Sequence, residues 1–156
     1  QPPDPDLLCA QLVYIGIYWN NHHHMMQATH SVTGPILWAN LHLLFWLSLV
    51  PFATAWMGEH PGESLPVATY GVVLILAAVA YTLLSRLIIA HEGPTSTLAR
   101  AVGADIKGWV SLGLYVVAIG TAFVAPMVAK LIYAGVAAIW FIPDRRIERT
   151  INREAA

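Results

Sequence analysis

Residues 36–57 form an uninterrupted apolar stretch that contains no Asp, Glu, Lys or Arg. As an α-helix this stretch would extend about 33 Å, which matches the roughly 30 Å hydrocarbon core of a bilayer. It follows Gly34-Pro35, a pair that typically breaks the chain and starts a new helix. A helix at a water-facing surface needs a polar side, and this stretch has none. It therefore predicts a helix that crosses a membrane.

Four further apolar stretches follow or precede this one. The composition supports the same interpretation, because 57% of the residues are hydrophobic and only 11% are charged, against about 25% charged in ordinary soluble domains. A chain of 156 residues could not bury so much apolar surface in a soluble core. We therefore predict an all-α integral membrane protein with one domain over residues 1–156. Its membrane helices are expected at about 7–26, 36–57, 67–90, 109–125 and 127–142, with a short interfacial helix at 96–105 and a tail at 143–156.

The basic residues divide unequally between the two sides of the predicted membrane domain. Seven of the eight lie in segments that share one side, and only Lys130 lies on the other. By the positive-inside rule, the tail is expected in the cytoplasm and the loop at 57–66 outside, in a multi-pass protein of the cell membrane. The seven residues are Arg86, Arg100, Lys107, Arg145, Arg146, Arg149 and Arg153.

The same topology makes an expectation about the beginning of the chain, which starts at Gln1 and shows no signal peptide. It places residues 1–6 outside the cell. If the natural N-terminus is cytoplasmic, one more helix precedes Gln1, and the subunit has six membrane helices rather than five. The net charge of -1 gives no electrostatic reason to expect nucleic acid as a partner.

Residues 18–26, YWNNHHHMM, are the part of the apolar segments that is richest in polar side chains. Consecutive residues of a helix point about 100° apart, so the three histidines cannot share one metal ion, and no metal site is predicted. Two interpretations stay open. The segment is either a polar helix end with Trp19 as an interfacial anchor, or a group of hydrogen-bonding side chains that contacts a neighbouring helix.

Asn40 and His42 lie inside the uncharged stretch at 36–57. Unpaired polar groups are costly at membrane depth, so both are expected to face protein rather than lipid. Asn40 lies near the same membrane face as residues 21–23, and a bridge between them is therefore expected. Solvation of these side chains at the interface is the alternative.

The later helices are expected to serve as a scaffold. Small residues that would allow close helix packing occur at Gly113, Gly120, Thr121, Ala122, Gly135, Ala137 and Ala138. No nucleophile elbow, HExxH, Walker or TVGYG motif occurs, so an enzyme is not expected. From the residues alone, a haem-binding electron carrier, ligated by His42 and one of the histidines 22–24, and a structural membrane subunit both remain open.

Two motifs resemble the bacterial members of the lysosomal and endosomal potassium channel family. The first is IGIYWNNHH at 15–23, and the second is LWANLHLLFWLSLVPFATAWMGEHP at 37–61. The family's Tyr-Trp-x-Asn-His-His pattern and its Leu-Trp-x-Asn and Pro-Phe elements fall on Tyr18, Trp19, Asn21, His22, His23, Leu37, Trp38, Asn40, Pro51 and Phe52.

The resemblance implies a potassium-selective channel subunit that conducts passively through the central pore of a homotetramer, past a hydrophobic constriction. Potassium would be the permeant ion, the bilayer the surrounding partner, and no cofactor is expected. The family's first, pore-lining helix, with its Arg and Phe-Ser-Asp motif, is missing from this sequence. The resemblance also implies an interhelical polar network that supports the pore helix, formed by Trp19, Asn21, His22, His23 and Asn40.

Overall fold

The computed structural model describes residues 5–27, 29–102 and 105–141. These residues form six α-helices and no strand. The tail at 143–156, with its four arginines, and the first four residues of the N-terminal loop lie outside the described residues. The helices are α1 Pro5–Gln27, α2 Gly34–Glu59, α3 Ser64–Glu92, α4 Thr97–Val102, α5 Ile106–Ala122 and α6 Pro126–Phe141.

The helix ends follow local signals in the sequence. Helix α2 carries a proline in its first turn, where the missing N–H would have no helical partner anyway. Helix α3 ends at Gly93, whose φ of +98° favours glycine and whose N–H donates to the Ile89 carbonyl at 2.9 Å. Asp105 caps α5 by accepting the Gly108 N–H at 3.2 Å.

The end of α5 corrects the predicted helix at 109–125. The helix ends at Ala122, and the Ala125 N–H donates to the Thr121 carbonyl at 2.7 Å in a tight turn before α6. The turn residues Phe123, Val124 and Ala125 are themselves apolar. Hydropathy therefore could not separate this turn from the helix before it.

One hydrophobic core lies where α3 packs against α2, α5 and α6. Tyr133 of α6 is 2% exposed, and its hydroxyl donates to the Val67 carbonyl of α3 at 3.1 Å. Gly71 makes room for this ring, because a Cβ there would overlap the Tyr133 hydroxyl and lie 2.6 Å from Ile119 Cγ1. Fully buried alanines complete the interface: Ala77, Ala118, Ala122 and Ala129.

The predicted close packing of small residues occurs at Ala122 of α5, which is fully buried, but not at Gly113, Gly120 and Gly135 within the single chain. A Cβ at any of these three would meet nothing within 4 Å. The close approach occurs at Gly71 instead, because the bulky residue that fills the contact, Tyr133, comes from another helix and leaves no local pattern.

A second core lies beneath the end of α1. Met25, Leu43 and Leu84 are fully buried there, and Leu98 of the short helix α4 packs against them at 1% exposure. This packing holds the ends of α1 and α3 close to the start of α2.

Helices α2 and α3 are each long and apolar enough to cross a membrane, and α5 and α6 are shorter apolar helices. Many large apolar side chains face outward in the single chain, among them Val116, Val124 and Leu131. Lipid can cover such a surface, whereas water cannot do so without cost. The prediction of an all-α membrane protein is confirmed.

Candidate functional site

Two polar contacts join α1 to α2. His22 Nε2 lies 2.6 Å from Asn40 Oδ1, and Gln11 Nε2 donates to the Pro51 carbonyl at 3.1 Å. Because the earlier residue of α1 meets the later residue of α2, the two helices run antiparallel. The contacts tie α1 to α2 at two heights, where the surrounding lipid offers polar groups no other partner.

The His22–Asn40 contact determines which nitrogen of the His22 ring carries a proton. Asn40 Oδ1 is an acceptor, so His22 must carry a proton on Nε2 and donate it. Interhelical hydrogen bonds in membranes contribute about 0.6–2 kcal/mol each.

Trp19 and His23 lie on another face of α1. Their rings are stacked, with centroids 5.3 Å apart and planes 11° apart, and Trp19 is 63% exposed. They form a flat aromatic surface on the outside of the chain and do not join the contact with Asn40. Their support of a pore helix stays a prediction.

Asn21 points in a third direction, into the molecule. It is 7% exposed, and its Nδ2 donates to the Ile17 carbonyl one turn earlier, at 2.8 Å. It also lines a cavity between α1, α3, α5 and α6. Four of the five predicted residues lie on α1, and they point to three different faces of that helix. This spread follows from the rotation of about 100° per helical residue.

His24, the third histidine of the run, has a buried Nδ1 with no hydrogen-bond partner among the described residues. Its ring lies 6.0 Å from that of His23 in a tilted arrangement. Buried polar atoms nearly always have partners, so this position is a candidate for a further contact in the assembled protein.

The structure corrects the expectation that His42 faces protein. His42 is exposed, and its Nε2 accepts a hydrogen bond from Trp46 Nε1 of the same helix at 2.8 Å. Two residues along a helix turn by about 200°, so His42 points away from the side where Asn40 meets α1. A bond within the helix satisfies Nε2 of the ring, and His42 does not face the histidines of α1 in the single chain.

The outer face formed by α1 and α2 is largely apolar. Its exposed side chains recur every three or four residues and so form a stripe along each helix. Phe52 is 69% and Trp38 is 74% exposed, values far above those of the α3–α5–α6 core. The other members are Leu12, Ile15, Leu37, Leu41 and Phe45.

A hydrogen-bonded cluster that no sequence motif predicted joins the α1–α2 loop to the end of α3. Glu92 accepts the N–H groups of His30 and Ser31 at 2.8 and 3.3 Å, and its second oxygen lies 3.0 Å from His30 Nδ1. Ser31 Oγ lies 2.6 Å from His91 Nε2. Glu92 lies beyond the apolar stretch at 67–90, and the His30 N–H lowers the pKa of its carboxyl from the ordinary value of 4.5.

Comparison with known proteins supports the resemblance to this channel family. Residues 8–51 match the sequence profile of the endosomal/lysosomal potassium channel TMEM175. This match covers most of α1 and α2, the helices that the polar contacts join. No solved structure matches the chain.

A curated potassium channel of Chryseobacterium sp. (strain P1-3) is 52% identical to the chain over 140 residues. The aligned region covers 90% of this chain and 73% of that protein. Identity at this level, over most of both chains, extends the relationship beyond α1 and α2. The chain belongs to the endosomal/lysosomal potassium channel TMEM175 family.

Proposed function

We propose that four copies of this chain assemble around a central pore and conduct potassium passively across the cell membrane. Family membership carries the proposal. The match at 8–51 supports it further, because it falls on the α1–α2 face, where apolar side chains remain exposed in the single chain.

The polar groups of α2 indicate how such a pore would work. Asn40 and His42 are bonded to His22 and Trp46, while the hydroxyls of Ser48 and Thr54 bond back to carbonyls of the preceding turn. Apart from Glu59 at its end, helix α2 therefore carries no charged side chain. The resemblance gives the pore lining to the family's first helix, and in this proposal the apolar α2 lies beside that helix and supports it. A narrow apolar constriction in such a pore gates by wetting and dewetting.

In this proposal the α1–α2 face supports the conducting pathway, and the core around Tyr133 holds the subunit together. The His22–Asn40 bond fixes the height and rotation of α1 against α2. A shift of either helix would move every apolar side chain on the face at once. The bond is therefore expected to matter more to conduction than to folding.

Potassium flux into liposomes tests the function directly. The purified protein is reconstituted, and potassium and sodium uptake are measured under identical gradients beside protein-free liposomes. We expect potassium uptake well above both the sodium arm and the protein-free control. Uptake no faster than in protein-free liposomes, from protein of verified assembly, would refute the proposal.

The number of subunits rests on the family resemblance and has its own test. Native mass measurement in mild detergent and in lipid nanodiscs is expected to give four copies in both. A monomer or dimer that persists in lipid would contradict the tetramer even if flux were observed.

The orientation proposed for the chain places its C-terminus in the cytoplasm. Arg86, Arg100 and Lys107 lie at the end where α3 finishes and α5 begins, opposite the end that carries Lys130. In a Cys9→Ala background, Ser64→Cys should react with an impermeant thiol reagent on intact cells, whereas Thr150→Cys should not. The reverse labelling pattern would overturn this topology.

A further inference from the structure

A cavity of about 310 Å³ opens between α1, α3, α5 and α6. Asn21 near the end of α1, Arg86 near the end of α3 and Gly108 at the start of α5 line it. These positions all belong to the end of the bundle where the basic residues collect. The cavity therefore reaches from one membrane interface into the apolar interior, on the far side of α1 from the His22–Asn40 contact.

The walls of this cavity are mainly apolar, and polar side chains in them are bonded to other groups of the protein. Thr82 Oγ1 donates to the Ala78 carbonyl at 3.0 Å, and Ser111 Oγ donates to the Lys107 carbonyl at 2.8 Å while accepting Trp140 Nε1 at 2.8 Å. Both hydroxyl protons are therefore bonded within the protein. The wall they leave suits hydrocarbon better than water.

The mouth of the cavity, in contrast, carries charge. Arg86 lines it and its side chain is exposed, so the guanidinium can reach the headgroup layer from an otherwise apolar helix. Asp105 also lines it and accepts the Gly108 N–H as the cap of α5. A ligand that fits both parts needs a hydrocarbon chain at one end and an anionic group placed nearer Arg86 than Asp105.

We propose that the cavity holds one acyl chain of an anionic phospholipid from the surrounding bilayer, with the lipid phosphate bound by Arg86. The volume lies at the lower end of the range for ligand sites, about 300–1,000 Å³, which suits a single chain. The guanidinium fits a phosphate through paired N–H donors, and one basic residue near an anionic membrane surface favours binding by about fivefold. This inference goes beyond the proposed function and does not depend on it.

Quenching of tryptophan fluorescence by brominated lipid tests the site, because Trp140 lines the cavity and is half-buried. The protein is reconstituted in vesicles of unlabelled lipid that contain increasing fractions of phosphatidylglycerol or phosphatidylcholine brominated on the acyl chain. The difference between wild type and Trp140→Phe isolates the signal of Trp140 from that of the other tryptophans.

We expect brominated phosphatidylglycerol to quench Trp140 at about a fivefold lower fraction than brominated phosphatidylcholine. Arg86→Gln should remove this preference. Arg100→Gln is the matched control, since Arg100 is an exposed basic residue of α4 outside the cavity, and it should leave the preference intact. Asp105→Asn should increase the preference, because asparagine still caps a helix and tolerates the φ of 43° while removing the negative charge.

Two results would overturn the inference. Equal quenching by the two lipids in wild type, or a preference that survives Arg86→Gln, would show that Arg86 binds no lipid phosphate. Failure of both lipids to quench Trp140 would show that no acyl chain enters. Ala78→Phe, which adds a ring to the cavity wall, should abolish Trp140 quenching in a protein of unchanged assembly, and persistent quenching in this variant would place the lipid elsewhere.

Discussion

The α3–α5–α6 core, which is the hydrophobic core around Tyr133, and the α1–α2 face both consist of apolar helices. Their large side chains differ in how far they are buried within the single chain. In the core, Tyr133 is 2% exposed and closes against Gly71, with small buried residues around it. On the α1–α2 face, Trp38 and Phe52 are more than two-thirds exposed. There the packing between the two helices is supplemented by the bonds of His22 to Asn40 and of Gln11 to Pro51.

The difference indicates a division of labour within the subunit. The family profile matches residues 8–51, which form most of α1 and α2 and include the second core at Met25 and Leu43, and it does not extend over α3, α5 and α6. A core can be filled by many combinations of apolar side chains of suitable volume, whereas a face that must meet other parts of an assembly is more restricted. Mutations in the two regions should therefore separate stability from conduction.

The largest effect on stability is expected at Gly71. Gly71→Ala places a methyl group against Tyr133 and Ile119, and such overpacking costs about 1–3 kcal/mol. Gly135→Ala is the matched control, because nothing lies within 4 Å of its Cβ position, and helix propensity should stabilise it by about 0.5–1 kcal/mol. Thermal unfolding in detergent measures both. Equal effects of the two substitutions would show that the core is not tightly packed at Gly71.

A smaller effect on stability is expected at the His22–Asn40 contact. His22→Ala and Asn40→Ala should each destabilise the subunit, with a coupling energy of about 0.6–2 kcal/mol in a double-mutant cycle. His23→Ala serves as the control, since His23 stacks on Trp19 at the surface and should show no coupling to Asn40. Coupling of Asn40 to His23 rather than to His22 would contradict the assignment of His22 to the contact.

The smallest effect is expected at Glu92, and it depends on pH. The folded-state pKa of Glu92 is lowered, so its carboxylate stabilises the fold above the unfolded value of 4.5, and this stabilisation is lost as pH falls through the folded value. Glu92→Gln should therefore lower the unfolding temperature near pH 7, and its difference from wild type should shrink below pH 4.5. A difference in unfolding temperature that stays constant across this pH range would show that Glu92 stabilises the cluster through packing rather than through its charge.

Hydropathy predicted much of the fold, because each membrane helix must satisfy its own backbone and needs little help from distant residues. The apolar stretches at 36–57 and 67–90 lie within α2 and α3. The exact end of α5 escaped prediction because Phe123 and the residues after it are as apolar as the helix. The fit of Tyr133 to Gly71 escaped because it joins residues far apart in the chain.

The candidate site was predictable in position but not in detail. Depth in the membrane suggested a bridge between Asn40 and residues 21–23, and the structure assigns it to His22. Which histidine turns toward α2 depends on the rotation of α1, and the sequence does not specify that rotation. His42 illustrates the opposite case, since a tryptophan one turn away satisfied a side chain that was expected to need a protein neighbour.

The central claim is that the α1–α2 face supports conduction while the α3–α5–α6 core is a scaffold. Potassium flux per assembled complex, compared between Asn40→Leu and Tyr133→Phe, tests it most directly. Each substitution removes one polar contact between helices and keeps a side chain of similar size. We predict that Asn40→Leu assembles but loses most of its flux, whereas Tyr133→Phe unfolds at a lower temperature and retains wild-type flux per complex. Equal loss of flux per complex in the two variants would contradict the account.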